Sequence, residues 1–184
     1  MIPEPCVATI GFFDGVHMGH RYLIQQVKEI AAAKGLRSAL VTFPVHPRKV
    51  MNAAYHPELL TTPEEKTNLL AGTGVDYCLM LDFTPDISRL TAKEFMTQIL
   101  KERFQVKYLV IGYDHRFGHN RSEGFDDYVR YGQAIGIEVI RAQAYTDDIQ
   151  IDTIQSAPVS SSLIRKLLHQ GDVDVAARCL GYEY

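Results

Sequence analysis

The stretch GFFDGVHMGH, residues 11–20, carries two histidines, one acid and three glycines directly after an apolar run. A strand-to-helix turn by itself needs little more than a glycine and a capping side chain, so the surplus points to a ligand. Gly11 and Gly15 permit a sharp turn and a close approach of backbone to ligand. The helix that follows offers free N–H groups and the positive end of its dipole, which favour an anion such as a phosphate. His17 and His20 lie one helical turn apart and can present both rings to the same place. There they can donate hydrogen bonds to phosphate oxygens as charge develops. Gly19, between them, leaves room for a flat or bulky group. At this level a turn with incidental histidines and a zinc site remain competing explanations, although no further metal ligands stand close by.

Three more segments could supply chemistry. In VSSSLIR, residues 159–165, the hydroxyls of Ser160, Ser161 and Ser162 can cap a helix and also bind phosphate oxygens. Arg165, one turn inside on the face of Ser161, can grip a phosphate; plain serine capping is the alternative. GYDHRFGHNRSEG, residues 112–124, combines Asp114, Arg116 and Arg121 with Tyr113 and Phe117. Aromatics beside cations suit a planar, phosphorylated ligand, whereas a solvated turn-rich loop needs no ligand at all. In TFPVHPRKV, residues 42–50, Pro44 and Pro47 stiffen the chain, and Phe43 and His46 can form one wall of a pocket.

These segments have to be positioned by regular elements. Five apolar, partly β-branched runs recur: CVATIGFF (6–13), RSALVTF (37–43), DYCLMLDF (76–83), VKYLVIG (106–112) and IEVIR (137–141). Several are continuously apolar, as strands buried on both faces are. Helical patterns alternate with them: Leu23, Ile24, Val27, Ile30 and Ala31 form one face of a helix closed by Gly35. Others are EEKTNLLAG (64–72), TAKEFMTQIL (91–100) with Thr91 and Glu94 at capping-box spacing, FDDYVRYGQAIG (125–136) weakened by Gly132, and the closing pair SSLIRKLLHQG and DVDVAARCLG. This alternation implies an α/β fold with a mostly parallel, five- or six-stranded sheet flanked by helices. In such sheets ligands bind beyond the carboxyl ends of the strands, which brings the segments after the first, second and fourth strands to one crevice. Residues 44–63 read as an excursion over that crevice, and DIQIDTIQ as an added antiparallel strand.

Composition excludes several classes. With 184 residues, 46% hydrophobic and 22% charged, the chain has the make-up of an ordinary globular domain. A net charge of −3 and a pI near 6.1 provide no electrostatic footprint for nucleic acid. No apolar run reaches membrane-spanning length, and no signal peptide is present. Cys6, Cys78 and Cys179 match no zinc or CxxC spacing; they suit a reducing cytoplasm, with Cys78 and Cys179 expected to be buried. There is no GxxxxGK loop and no GxGxxG fingerprint, which disfavours P-loop kinases and NAD enzymes.

GFFDGVHMGH resembles the H-x-G-H signature of the adenylyl- and cytidylyltransferase superfamily. Together with TFPVHPR, GYDHRFGHNRSEG and VSSSLIRKLLHQGDVDVAARCLG, in that order, it is similar to the N-terminal module of the bifunctional prokaryotic FAD synthetases, which join a riboflavin kinase to an FMN adenylyltransferase. The likeness runs from about Val7 to the last residue. It implies a Rossmann-like nucleotidyltransferase fold and an adenylyltransferase module over residues 1–184, without the family's riboflavin kinase module, which would be its partner in cis. The implied reaction is ATP + FMN → FAD + diphosphate, assisted by Mg²⁺ held mainly by the substrate phosphates. The resemblance implies catalytic roles for His17, His20 and Arg165. It also assigns Gly11, Phe12, Asp14, Gly15, Gly19, Ser160, Ser161 and Ser162 to the ATP site, with Asp14 fixing the turn or reaching magnesium through water. Asp114, Arg116 and Phe117 would face the flavin, with Phe43 and Pro47 opposite. Three positions depart from the family pattern: Val45 in P-H-P, His115 where D-F-R-F-G has an aromatic, and Ser162 where threonine is usual. A nicotinamide or pantetheine phosphate acceptor, or a catalytically silent nucleotide- or flavin-binding module, are the alternatives.

Overall fold

All five apolar runs form strands: β1 (Cys6–Ile10), β2 (Arg37–Thr42), β3 (Tyr77–Met80), β4 (Val106–Ile111) and β5 (Glu138–Arg141). They pair in parallel in the order β3-β2-β1-β4-β5. This computed structural model describes residues 4–146, 149–152 and 155–184. The chain winds outward from β1 to β3, then returns to start β4 on the other side of β1. The carboxyl ends of β1 and β4 therefore flank the switch point at which doubly wound sheets bind ligands.

The unbroken apolar character of the strands follows from burial on both faces. Cys6, Ala8 and Ile10 of β1 pack in the cluster that contains Phe95, Met96, Leu100 and Tyr128, while Val7 packs with Val27, Ala31 and Val110. Helix α1 (Met18–Lys34) covers the second face and ends at Gly35, whose φ of 65° lets its N–H reach the carbonyls of Ala31 and Ala32. On the first face α5 (Ala92–Phe95) starts with the expected capping box: the Thr91 hydroxyl accepts from Glu94 N, and Glu94 accepts from Thr91 N. It continues into a π-helical stretch, Met96–Arg103. Short helices Pro47–Met51 (α2) and Pro85–Ser88 (α4) follow β2 and β3, and α3 (Pro63–Ala71) lies between α2 and β3.

Helix α6 (Phe125–Ile135) contains Gly132 for a reason other than weak helix formation. A Cβ at this position would collide with the carbonyl oxygen of Ile137, and the Gly132 carbonyl accepts from the N–H groups of both Gly136 and Ile137. The glycine lets the chain fold back tightly from α6 into β5. Gly132→Ala is therefore expected to destabilise the protein by about 1–3 kcal/mol through overpacking, although alanine is the better helix former. A urea unfolding midpoint at or above that of the wild type would contradict this.

Two expectations need correction. Cys78 is exposed, because β3 is an edge strand whose alternate residues are uncovered; Cys179 is buried as expected. DIQIDTIQ supplies an antiparallel strand as expected: β6 (Ile149–Asp152) pairs with β7 (Gln155–Ala157) in a ribbon separate from the main sheet, and residues 147–148 and 153–154 of this region lie outside the described ones. The 44–63 excursion is not wholly peripheral. Leu60 packs with Ile164, Leu167, Cys179 and Leu180, joining α7 (Ser161–Gln170) and α8 (Val173–Leu180) in a satellite core.

Candidate active site

Beyond Ile10 the chain enters a turn with three left-handed residues, Phe13 at φ 58°, Gly15 at φ 79° and Val16 at φ 41°. A β-branched residue in that region costs about 1–3 kcal/mol and persists only where the surroundings over-determine it. Here the surroundings are built on Asp14, only 5% exposed. Its carboxylate accepts from Leu60 N at 2.9 Å and Thr61 N at 3.2 Å, and pairs with the Arg165 guanidinium at 3.0 Å. Its carbonyl accepts from the Ser161 hydroxyl at 3.0 Å. Gly15 is fixed from both sides, donating to the Thr61 hydroxyl and accepting from the Tyr182 hydroxyl.

The two histidines then enter α1. The Nδ1 of His17 accepts from His20 N at 3.3 Å and caps the helix, so a neutral His17 carries its proton on Nε2. The rings stack with centroids 3.6 Å apart and 15° between planes. Burial lowers His17 to about 4, against a partly offsetting attraction from Asp14, and holds His20 well below the ordinary imidazole range, helped by His17 and Lys66. Both rings are thus neutral donors near neutral pH. This has a consequence for stability. Between about 4 and the ordinary value near 6.5 the unfolded chain binds more protons than the folded one, so His17 favours folding fully above that window and progressively less as the pH falls through it. The melting temperature is expected to fall on acidification across this range, with a shallower fall in His17→Asn. Identical slopes would refute it.

Lys66 on α3 is a further buried group, 2% exposed. Its ammonium donates to the carbonyls of Phe12 at 3.0 Å and Phe43 at 2.9 Å, and lies 3.8 Å from the Phe12 ring centroid. It ties together the chain leaving β1 and the chain leaving β2. Burial lowers it to about 8. The sequence signal for it was its position one turn before Leu70, on the buried face of α3.

Three adjoining cavities open over these carboxyl ends. A central one of about 460 Å³ is lined by Gly11, Phe12, Asp14 and His20 from the first turn, by Ser161, Ser162 and Arg165 from α7, and by Arg48 and Arg121. A more enclosed, largely aromatic one of about 220 Å³ lies beside it, with Phe43, Pro47, Phe83, Phe95, Arg116 and Phe117 in its walls. A third of about 890 Å³ is lined by His17, Gly19, His20, Asp114 and Tyr145 among others.

The motifs expected to converge do so, with three relocations and one side chain, Arg116, partly turned to its own loop. Asp114, expected on the flavin side, lines the third cavity, because the chain folds back after β4 with His115 N donating to Gly112 O. Arg116 lines the aromatic cavity but spends one guanidinium nitrogen on the carbonyls of Tyr113 and His115, bracing its own loop. Gly15 packs against Leu60 and Leu180 and lines none of the three cavities. Ser160 caps α7 by accepting from Leu163 N, and its two neighbours, not it, face the central cavity. The carboxylate of Asp14 is already fully engaged. Among the described residues no three His, Cys, Asp or Glu side chains are grouped to hold a metal ion. Arg48 and Lys66 escaped the sequence reading; Arg121, seen there only as one base in a loop, reaches two of the cavities.

A parallel sheet in switch-point order, with a helix N-terminus, hydroxyls, guanidinium groups and the His20 imidazole around one central cavity and His17 stacked on His20 beside it, defines a Rossmann-like nucleotide-binding protein of the nucleotidyltransferase type. The FAD synthetase family model matches residues 1–158, and the chain belongs to that family. It is 34% identical to a bifunctional riboflavin kinase/FMN adenylyltransferase of Listeria monocytogenes, over 97% of this chain and 54% of that protein. It is 35% identical to the protein of the same description from Pseudomonas fluorescens, over 96% of this chain and 54% of that one. The chain thus spans about half the length of these curated relatives. A crystal structure described as a macrolide-efflux protein from Streptococcus pneumoniae superposes with a TM-score of 0.82 at 28% identity, over 99% of this chain and 57% of that one. No helix among the described residues is long and apolar enough to cross a membrane.

Proposed function

We propose that these residues form an FMN adenylyltransferase, which converts MgATP and FMN to FAD and pyrophosphate. The observation that carries the reading is a cavity lined by phosphate-binding groups, set between an aromatic cavity on one side and a larger cavity on the other. A triphosphate fits the middle, an isoalloxazine the aromatic side and an adenosine the third. Family membership and the names of the relatives support the same assignment.

The FMN phosphate is already an anion, so its attack on the α-phosphorus requires no strong base. In-line displacement forms one P–O bond and breaks the bond to pyrophosphate. Catalysis then rests on positioning and on donors aimed at the developing charge. His20, which lines both the central and third cavities, and His17, which lines the third, donate where the α-phosphate joins the adenosine, while Ser161, Ser162 and Arg165 hold the departing pyrophosphate. For Arg165 this requires its bonds to Asp14 and to the Glu58 carbonyl to be shared with substrate. Magnesium comes with ATP, since it keeps waters and takes few protein ligands and the carboxylate of Asp14 is engaged. The riboflavin kinase activity in the relatives' names is assigned to the half of those proteins that this chain does not match, acting in cis where both are joined. A cytoplasmic setting, without nucleic-acid or membrane partners, fits free thiols and small-molecule substrates.

Incubation with ATP, Mg²⁺ and FMN should yield FAD by chromatography, and riboflavin in place of FMN should yield no FMN. ATP binding without FAD formation would instead indicate another phosphate acceptor or a silent binding module.

A further inference from the structure

Among the described residues, His115 is the one that lines all three cavities. It shares the boundary between the aromatic and central cavities with Ile10, Gly11, Phe12, His46 and Arg121. Only three of these six carry polar side chains. His46 is held in place, with its Nδ1 accepting from Arg48 N at the start of α2 and its ring against Phe12 at 4.7 Å and Tyr55 at 5.5 Å, which leaves only its Nε2 to meet a ligand. The His115 backbone is held by its bonds to Gly112 and Arg116, and its ring leans on Phe117 at 6.0 Å. Among the described residues neither ring nitrogen of His115 has a hydrogen-bond partner.

On the flavin reading proposed above, on which this inference rests, the ribityl arm must carry the FMN phosphate across that boundary to meet ATP. We propose that His115 hydrogen-bonds the FMN phosphate as it enters the central cavity, and so selects the phosphorylated flavin over riboflavin. An imidazole there has an N–H to give to a phosphate oxygen. Burial, with Arg121 and Arg116 nearby, lowers His115 to about 4. It therefore acts as a neutral donor, adding direction to the charge that Arg121 provides.

The test is a titration of FMN and of riboflavin, each followed by flavin fluorescence, against wild type, His115→Phe, His115→Asn and His115→Gln. Phenylalanine keeps the ring contact with Phe117 and removes the donor. A hydrogen bond to a charged group is worth about tenfold to a hundredfold in affinity, so His115→Phe should weaken FMN by that factor and leave riboflavin unchanged. The Asn or Gln variant, which restores an amide N–H near Nδ1 or Nε2, should recover part of the loss. Equal weakening of both flavins, or unchanged FMN binding in His115→Phe, would overturn the inference while leaving the flavin reading standing. A wild-type protein that binds no FMN would overturn both.

Discussion

Replacing His20 with alanine is expected to lower the turnover of FAD formation by about 10²–10³-fold, the usual cost of removing one preorganised donor from a developing oxyanion. His20 is the α1 imidazole that lines both the central and the third cavity, where the α-phosphate of a bound ATP would lie. Its Nδ1 is buried without a hydrogen-bond partner, and its ring is fixed between His17 at 3.6 Å and Phe13 at 5.2 Å. A buried polar atom left unpaired is costly unless a ligand completes it. The ring does not line the aromatic cavity, so KM for FMN should change far less than kcat. His20→Asn, which retains a donor in a similar place, should recover part of the rate. Wild-type turnover in His20→Ala would remove His20 from the chemistry.

The second large effect is on stability. Asp14→Ala is expected to destabilise the protein by about 3–5 kcal/mol, as expected for breaking a buried ion pair on one side. It would leave the N–H groups of Leu60 and Thr61 without their acceptor and Arg165 without its counter-ion. The same carboxylate ties the left-handed turn at Phe13–Val16 to the segment before α3 and to α7, so its loss frees the strain held there. For a chain of this size that corresponds to a melting temperature lower by roughly 10 °C. Arg165→Met leaves the buried Asp14 carboxylate without its counter-ion but still accepting from the Leu60 and Thr61 N–H groups, so it should cost less than Asp14→Ala, which removes the acceptor from all three donors. Equal losses in the two variants would mean that the ion pair, and not the backbone N–H groups, carries the energy. An unchanged melting temperature for Asp14→Ala would show that the turn is held by other contacts.

The amino-acid sequence by itself determined the five strands, the alternation with helices and the segments that carry the chemistry. Period and polarity are local properties, and a strand buried on both faces, such as CVATI or YLVI, declares itself by being apolar throughout. The motifs and the family resemblance together imply that His17, His20, Ser160, Ser161, Ser162 and Arg165 share one site; of these His20, Ser161, Ser162 and Arg165 line the central cavity. Local reading fails where a side chain's surroundings come from distant parts of the chain. Asp14 reads as a turn residue; only tertiary contact with Leu60, Thr61 and Arg165 makes it the knot of the site. Lys66 draws no notice as one charge in a helical run; only the approach of Phe12 and Phe43 makes it a buried clamp. Cys78 reads as core, yet the strand order leaves β3 at an edge. Gly132 reads as a weak point in a helix, until the chain returning at Ile137 occupies the space a Cβ would need. Hydrophobic pattern is written along the chain. Desolvation and hydrogen-bond completion depend on which segments the fold brings together, and only the tertiary structure decides them.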